Sequence, residues 1–165
     1  MNDVVLSLGS NIGDKFFYLK EAIRLLNLKV GKVEKISSVY ETEPWGMECD
    51  DAFYNIAVAL QTELNPQQLL KENQQIEKEL GRVRSSAGYA SRTIDIDILF
   101  FNEEVIDTED LIIPHPYIQK RNFVLAPLAE ILPEFLHPVL NKNIKYLFEH
   151  SLDDCASQKI DKKLN

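Results

Sequence analysis

The stretch Arg92-Thr93-Ile94-Asp95-Ile96-Asp97-Ile98-Leu99-Phe100-Phe101 constrains the fold more than any other part of the chain. At period two it reads as a strand, with Ile94, Ile96 and Ile98 on one face and Thr93, Asp95 and Asp97 on the other. Two carboxylates on one face of an apolar strand repel each other and cost stability unless a cation lies between them. Same-face neighbours lie roughly 6.5–7 Å apart at Cα, so the two side chains can converge on one ion. Oxygen-only ligands favour a hard cation such as Mg²⁺, which keeps waters and binds substrate phosphates. The alternative is an edge strand with a solvated acidic face. The residues around the pair bear on that choice.

The chain has 165 residues and a net charge of −8, which argues against a nucleic-acid coat. Its 45% hydrophobic and 27% charged residues suit a globular protein, and the length suits one domain, residues 1–165, with one main core. No 18-residue apolar run predicts a membrane span, and no basic leader precedes Val4-Val5-Leu6. Cys49 and Cys155 lack metal-ligand spacing and read as free thiols of a cytoplasmic protein. The charge distribution says more than the total. Of five arginines, Arg82, Arg84, Arg92 and Arg121 fall between 82 and 121, and no acid occurs from Leu80 to Ile94. Arginine's planar fork binds two phosphate oxygens at once. A basic loop beside an acid pair is what a magnesium–polyphosphate ligand needs.

Taken in order, Asp3 to Ser7 reads as a buried strand ending in the turn cluster Gly9-Ser10-Asn11-Ile12-Gly13. Asp14 caps a helix with Phe16, Leu19, Ile23 and Leu26 on one stripe, stopped by Gly31. The Gly-Ser turn invites a phosphate cradle. It lacks both the Walker pattern and the Rossmann triple glycine, and a plain strand-to-helix connection is the alternative. Residues 33 to 41 form a second strand without a clean face, and a loop holding Trp45 follows. Phe53 to Leu60 is a strand whose two faces differ. Tyr54, Ile56, Val58 and Leu60 share one; Phe53, Asn55, Ala57 and Ala59 share the other, where Phe53 and Asn55 could hold a flat heterocycle. A second packed face with Asn55 bonded to backbone is the competing reading.

Pro66 opens a helix with Leu69, Leu70, Ile76 and Leu80 on its apolar stripe, ended by Gly81. Gln74 and Glu77 share an i, i+3 row, ordinarily a solvated face. After the central strand, Asn102-Glu103 turns into Glu104–Asp107, and His115 stands between Pro114 and Pro116 as a candidate phosphate donor. Val124 to Ile131 reads as a short helix interrupted by Pro127, and Asn143 to His150 as another. Residues 151–165 read as a frayed polar tail. Strand, helix, strand, strand, helix, strand predicts an α+β, ferredoxin-like βαββαβ core with an antiparallel sheet, a C-terminal hairpin and short helices.

With these pieces in hand, the chain resembles the 6-hydroxymethyl-7,8-dihydropterin pyrophosphokinases of folate biosynthesis, from Leu6-Ser7-Leu8-Gly9-Ser10-Asn11 to Pro133. The resemblance rests on Tyr40-Glu41-Thr42-Glu43-Pro44, Phe53-Tyr54-Asn55, Gly81-Arg82-Val83-Arg84, the Arg92–Leu99 stretch and Ile113-Pro114-His115-Pro116, in that order and spacing. It implies transfer of the terminal pyrophosphoryl group of ATP to the pterin hydroxymethyl oxygen, with release of AMP. By that resemblance Asp95 and Asp97 would hold two Mg²⁺ ions, and Arg82 and Arg92 would be the catalytic arginines. Gln74, Glu77, Arg84, Ile98, His115 and Arg121 would serve ATP; Thr42, Glu43, Trp45, Phe53, Asn55 and Phe123 would serve the pterin, with Phe53 and Phe123 stacking on the ring. The implied partners are these small molecules, with no nucleic acid, membrane or obligate protein partner.

The chain departs from the family at Gly88, where a basic residue is common, at Tyr89 for tryptophan, at Ser91 for proline and at Glu43 for proline. The first three fall in the loop that would close over ATP. Two rival readings remain open at this point. A nucleotidyltransferase would also use Gly9-Ser10 and a later D-x-D, although such motifs usually lie closer together. A ferredoxin-like ligand sensor explains the fold but not the acids beside an arginine loop.

Overall fold

A computed structural model describes residues 1–42, 52–81, 93–155, 157–161 and 164. The first strand, β1 (Asn2–Ser10), is buried on both faces over most of its length, which makes it the spine of the sheet. Asp14 then caps α1 (Lys15–Lys29) by accepting the Phe17 N–H, as its position before the apolar stripe predicts. Next come β2 (Gly31–Ile36), β3 (Tyr40–Thr42) and β4 (Phe53–Thr62). Asn65 and Gln68 form a capping box on α2 (Pro66–Glu79), with Pro66 in its first turn and Gly81 at φ +91° just past its end.

The acid-bearing strand is β5 (Asp95–Phe101). A two-stranded ribbon, β6 (Ile106–Asp107) with β7 (Ile112–Ile113), a 3-10 turn over Ile118–Lys120, α3 (Asn122–Ile131), α4 (Ile144–Glu149) and β8 (Ser157–Lys159) complete the chain. The main sheet runs β5-β1-β4-β3-β8, with β2 also paired to β4, and its pairings are antiparallel. The βαββαβ core is as expected from the element order.

The two sheet faces differ in what covers them. Leu6, Leu8, Ile56, Val58, Leu60, Ile96 and Ile98 pack beneath α1 and α2, against Leu19, Ala22, Leu26, Leu69 and Ile76. Among the described residues, helices cover the opposite face at one end only. There Val5, Ala57, Leu99 and Phe100 meet Val124, Leu125 and Leu128 of α3 and Ile144 of α4. A register shift opposite Val5 and Leu6 turns Leu99 and Phe100, consecutive residues, toward that same cluster. The end that the described helices leave uncovered carries Asp95, Asp97 and Asn55.

Several elements differ from the sequence reading. The first strand runs on through Gly9 and Ser10 instead of turning there, so their main chains belong to the sheet ladder and not to a phosphate cradle. Residues 33 to 41 are two strands, because Ser37 leaves the regular pattern. Its N–H donates to the Ala57 carbonyl while its Oγ accepts the Ala57 N–H, and a bulge lies between Val33 and Lys35. The segment after Asn102 pairs with β7 and not back on β5. Pro127 does not interrupt α3, whose flanking Val124, Leu125, Ala126 and Leu128 are buried and hold the helix through the missing hydrogen bond. The tail is not frayed over Ser157–Lys159, which pairs with β3. Among the described residues no helix is long and apolar enough to cross a membrane.

Candidate active site

Register brings the predicted residues into rows across the uncovered end of the sheet. Gly9 of β1 faces Asn55 on one side and Asp95 on the other; Ser7 faces Ala57 and Asp97. Asp95 and Asp97 are each half-buried, alternating with the buried Ile94, Ile96 and Ile98 as the period-two reading requires. Between the amide and the acids the floor is therefore built from the smallest side chains. A Cβ at Gly9 would stand 2.8 Å from Asn55 Oδ1, too close for contact. Sequence reasoning placed Gly9 in a turn; its place in the alternation after Val4, Leu6 and Leu8 was the signal that it belongs to a strand.

Asn55 is 4% exposed and, among the described residues, its Nδ2 has no hydrogen-bond partner. A buried amide donor left unpaired costs on the order of 1–3 kcal/mol, so such a group points to a ligand acceptor. The next row pairs Thr42 with Phe53, and Tyr40 lies opposite Asn55. The Thr42 hydroxyl is 2.9 Å from Ser157 Oγ, and its main chain lies between β4 and β8 in the sheet. Tyr40 sends its hydroxyl away to Glu130 Oε1 at 2.7 Å. Burial, then that carboxylate, push the Tyr40 phenol up. Burial alone would raise Glu130, but hydrogen bonds from Tyr40 and Ser38 outweigh it and hold the carboxyl below its usual value.

β5 ends the sheet, so its outer main-chain groups need partners from elsewhere. Glu77 supplies one. Its carboxylate, only 2% exposed, accepts the Ile96 N–H at 2.8 Å, between the two acids. This corrects the solvated-face reading of Glu77, whereas Gln74 is exposed. Farther along the same edge the His115 N–H donates to the Leu99 carbonyl at 3.1 Å. A cleft of about 270 Å³ opens there, lined by Leu70, Gln74, Asp97, Ile98, Leu111 and His115 among others. Three of the residues expected to serve ATP thus share one cleft with a metal candidate. The Ile98 side chain itself belongs to the core.

His115 Nδ1 accepts the Tyr117 N–H at 3.2 Å, which leaves Nε2 as the donor of the neutral ring. Burial pushes the His115 pKa down to about 4, with Arg121 adding to the effect and Asp95 opposing it. The ring is neutral at pH 7. The Arg121 guanidinium lies 4.8 Å from the centre of the Tyr117 ring and 5.6 Å from that of Phe123, which begins α3 with Asn122. The ATP-side cation and the pterin-side aromatic are therefore neighbours.

Glu43, Trp45, Arg82, Arg84 and Arg92 lie outside the described residues, as do Gly88, Tyr89 and Ser91. Among the described residues no cluster of three or more His, Cys, Asp and Glu forms a metal cage. Asp95 and Asp97 offer oxygen donors beside a side-chain-free Gly9, a donor set that fits a hard cation sharing phosphate and water ligands.

Known proteins of the same kind share this plan. The family model for 7,8-dihydro-6-hydroxymethylpterin-pyrophosphokinase (HPPK) matches residues 5–133. A 2-amino-4-hydroxy-6-hydroxymethyldihydropteridine pyrophosphokinase of Bacillus subtilis (strain 168) is 53% identical over 133 residues, covering 79% of each chain. Its namesake in Aquifex aeolicus (strain VF5) is 43% identical over 145 residues, 88% of this chain and 89% of that one. The HPPK-DHPS crystal structure of Plasmodium falciparum superposes with a TM-score of 0.73 at 22% identity, over 90% of this chain and 44% of that one. A matching family model over most of the length, with relatives near half identical, decides the question: the chain belongs to the HPPK family.

Proposed function

We propose that the uncovered sheet face is where this chain performs the reaction of its family, with pterin at the Asn55 end and the ATP triphosphate along β5. The chain transfers pyrophosphate from ATP to the hydroxymethyl group of 6-hydroxymethyl-7,8-dihydropterin in folate synthesis, leaving AMP. The observation that carries the site is the row Asn55–Gly9–Asp95. Neighbouring strands lie about 4.8 Å apart, so the Cα atoms of Asn55 and Asp95 stand roughly 9.5 Å apart, with Gly9 between them adding no side chain and Asn55 Oδ1 reaching over it. A flat ring read by Asn55 at one edge spans that gap and brings its hydroxymethyl group to the acids.

Asp95 and Asp97 would hold two Mg²⁺ ions. Bound there, such ions screen the triphosphate and stabilise charge on the attacking and leaving oxygens. Asn55 Nδ2 donates to an acceptor on the pterin edge, while Phe53 and Phe123 stack on its faces. A stack of this kind is worth about 0.5–1.5 kcal/mol per aromatic beyond burial, so hydrogen bonds carry most of the selectivity. Thr42, Glu43 and Trp45 complete the pterin side.

On the ATP side, neutral His115 donates from Nε2 to a phosphate oxygen and Arg121 contributes fixed positive charge. Ile98, two residues beyond Ile96 on the same edge, meets the nucleoside through its main chain, since its side chain is committed to the core. Gln74 faces the cleft. Glu77 acts through Ile96, fixing the strand segment between the two acids. Arg82, Arg84 and Arg92 bind phosphate oxygens, Arg82 and Arg92 neutralising charge as the bond to the α-phosphate breaks.

The test is to mix the protein with ATP, Mg²⁺ and hydroxymethyl-dihydropterin and to identify the nucleotide formed. AMP is expected; ADP or no product would contradict the reading. Asp97→Ala should lower turnover by at least about a hundred- to a thousandfold while pterin binding survives. Undiminished turnover in that variant would remove the metal assignment.

A further inference from the structure

The family match ends at residue 133, and nothing in it gives the C-terminal segment a role. Yet that segment touches β3, which carries Thr42, and α3, which carries Phe123. The α3 helix, with Phe123 in its first turn, begins without a side-chain cap, since Arg121 at the cap position makes none. The segment supplies that cap from 31 residues away, Asp153 Oδ2 accepting the Asn122 N–H at 2.8 Å. The Asn122 Nδ2 donates to the carbonyls of Asp153 at 3.0 Å and Cys155 at 3.3 Å, and Asp153 Oδ1 accepts the Cys155 N–H at 2.9 Å.

A few residues later the same segment grips β3. Ser157 lies opposite Thr42 in the β3–β8 ladder, with their hydroxyls 2.9 Å apart, and the Ile160 N–H donates to the Val39 carbonyl at 2.8 Å. Lys159 Nζ lies 3.8 Å from the Glu130 carboxylate. Glu130, on α3, accepts hydrogen bonds from Tyr40 of β3 and from Ser38 just before it. Two elements far apart in sequence, one bearing Thr42 and the other Phe123, are thus tied through one short stretch of chain.

We infer that Asp153 and Ser157 are positioning residues for the pterin pocket, setting the gap between the start of α3, with Phe123, and the β3–β4 ladder, where Thr42 pairs with Phe53. This rests on the pterin reading of Phe53, Asn55 and Phe123. A ring sandwiched between side chains of two separately anchored elements is bound only as well as their spacing is fixed, because ordering them on binding costs free energy.

The experiment compares steady-state KM values for hydroxymethyl-dihydropterin and for ATP, alongside melting curves. The proteins are the full-length chain, Asp153→Ala, Asp153→Asn, Ser157→Ala and, as a pocket control, Asn55→Ala. Asp153→Ala should raise the pterin KM about three- to tenfold and leave that for ATP within about twofold. Asp153→Asn, which keeps an oxygen acceptor, should recover most of the loss. Ser157→Ala keeps the main-chain ladder and should raise the pterin KM about twofold. Asp153→Asn and Ser157→Ala carry the test if Asp153→Ala fails to fold. Unchanged pterin KM in the folded variants, or an equal rise for both substrates, overturns the inference. If Asn55→Ala also leaves pterin binding intact, the pterin reading itself has failed; a weakened Asn55→Ala beside unaffected Asp153 and Ser157 variants sinks the positioning role alone.

Discussion

A carboxylate as buried as that of Glu77 has to be held by donors, and one of them is the Ile96 N–H between Asp95 and Asp97. Periodicity put Glu77 on a polar helix row because it could not see that this row lies against the open edge of β5. Glu77→Leu removes the acceptor and leaves a buried amide unpaired, and should cost about 1–3 kcal/mol in chemical denaturation. Glu77→Gln keeps an acceptor oxygen and should cost less; an equal cost for the two variants would show that charge, and not the bond to Ile96, is what matters there.

His115 makes a prediction of opposite character. Its folded pKa, pushed down to about 4 by burial, lies below the unfolded value near 6.5. Above pH 6.5 the ring is neutral in both states and contributes nothing to the pH dependence. As pH falls from 6.5 toward 4 the unfolded chain takes up the proton first, so stability declines through that window and levels off below it. His115→Gln should flatten that part of a stability–pH curve measured by calorimetry. An unchanged slope would place the decline on other groups.

At the scale of elements, legibility followed how local the determining interactions are. The α2 boundaries were readable because Pro66 and Gly81 act on their own backbone neighbours, and the structure adds the Asn65 cap. The two faces of β4 were readable because a strand alternates, and its Ile56, Val58 and Leu60 do meet α1 and α2 while Ala57 lies on the other face, in the cluster beneath α3 and α4. The split between β2 and β3 was not readable, since it depends on Ser37 bonding Ala57, twenty residues away. Nor was the pairing of Ser157 with Thr42, where nothing in a polar, lysine-rich tail announces a strand.

β1 supplies the prediction that belongs to this scale. Its Gly9 keeps the floor clear between Asn55 and Asp95, and Gly9→Ala would place a methyl group against Asn55 Oδ1. Overpacking of this kind costs about 1–3 kcal/mol, shared between stability and the position of the amide. The pterin KM should rise clearly, as read from initial rates at saturating ATP. Wild-type KM in that variant would mean that Asn55 does not read the ring.

For the whole molecule, one sheet serves two purposes on the same face. At one end Leu99 and Phe100 pack beneath α3 and α4; at the other no described helix covers the face, which carries the acids and the amide. The candidate site was legible in the sequence because its chemistry is concentrated in short stretches on strands, where alternation gives direction. Relations between those stretches were not, for they come from register: that Gly9 sits between Asn55 and Asp95, or that Glu77 and His115 stitch the edge of β5. The central claim is that Asp95 and Asp97 share metal ions with a bound triphosphate beside the pterin position. Crystals grown with Mg²⁺, a non-hydrolysable ATP analogue and hydroxymethyl-dihydropterin test it most directly. The account predicts ions held by both carboxylates, phosphate oxygens completing their shells, and the ring over Gly9 against Asn55; ions elsewhere, with the two acids splayed apart, would contradict it.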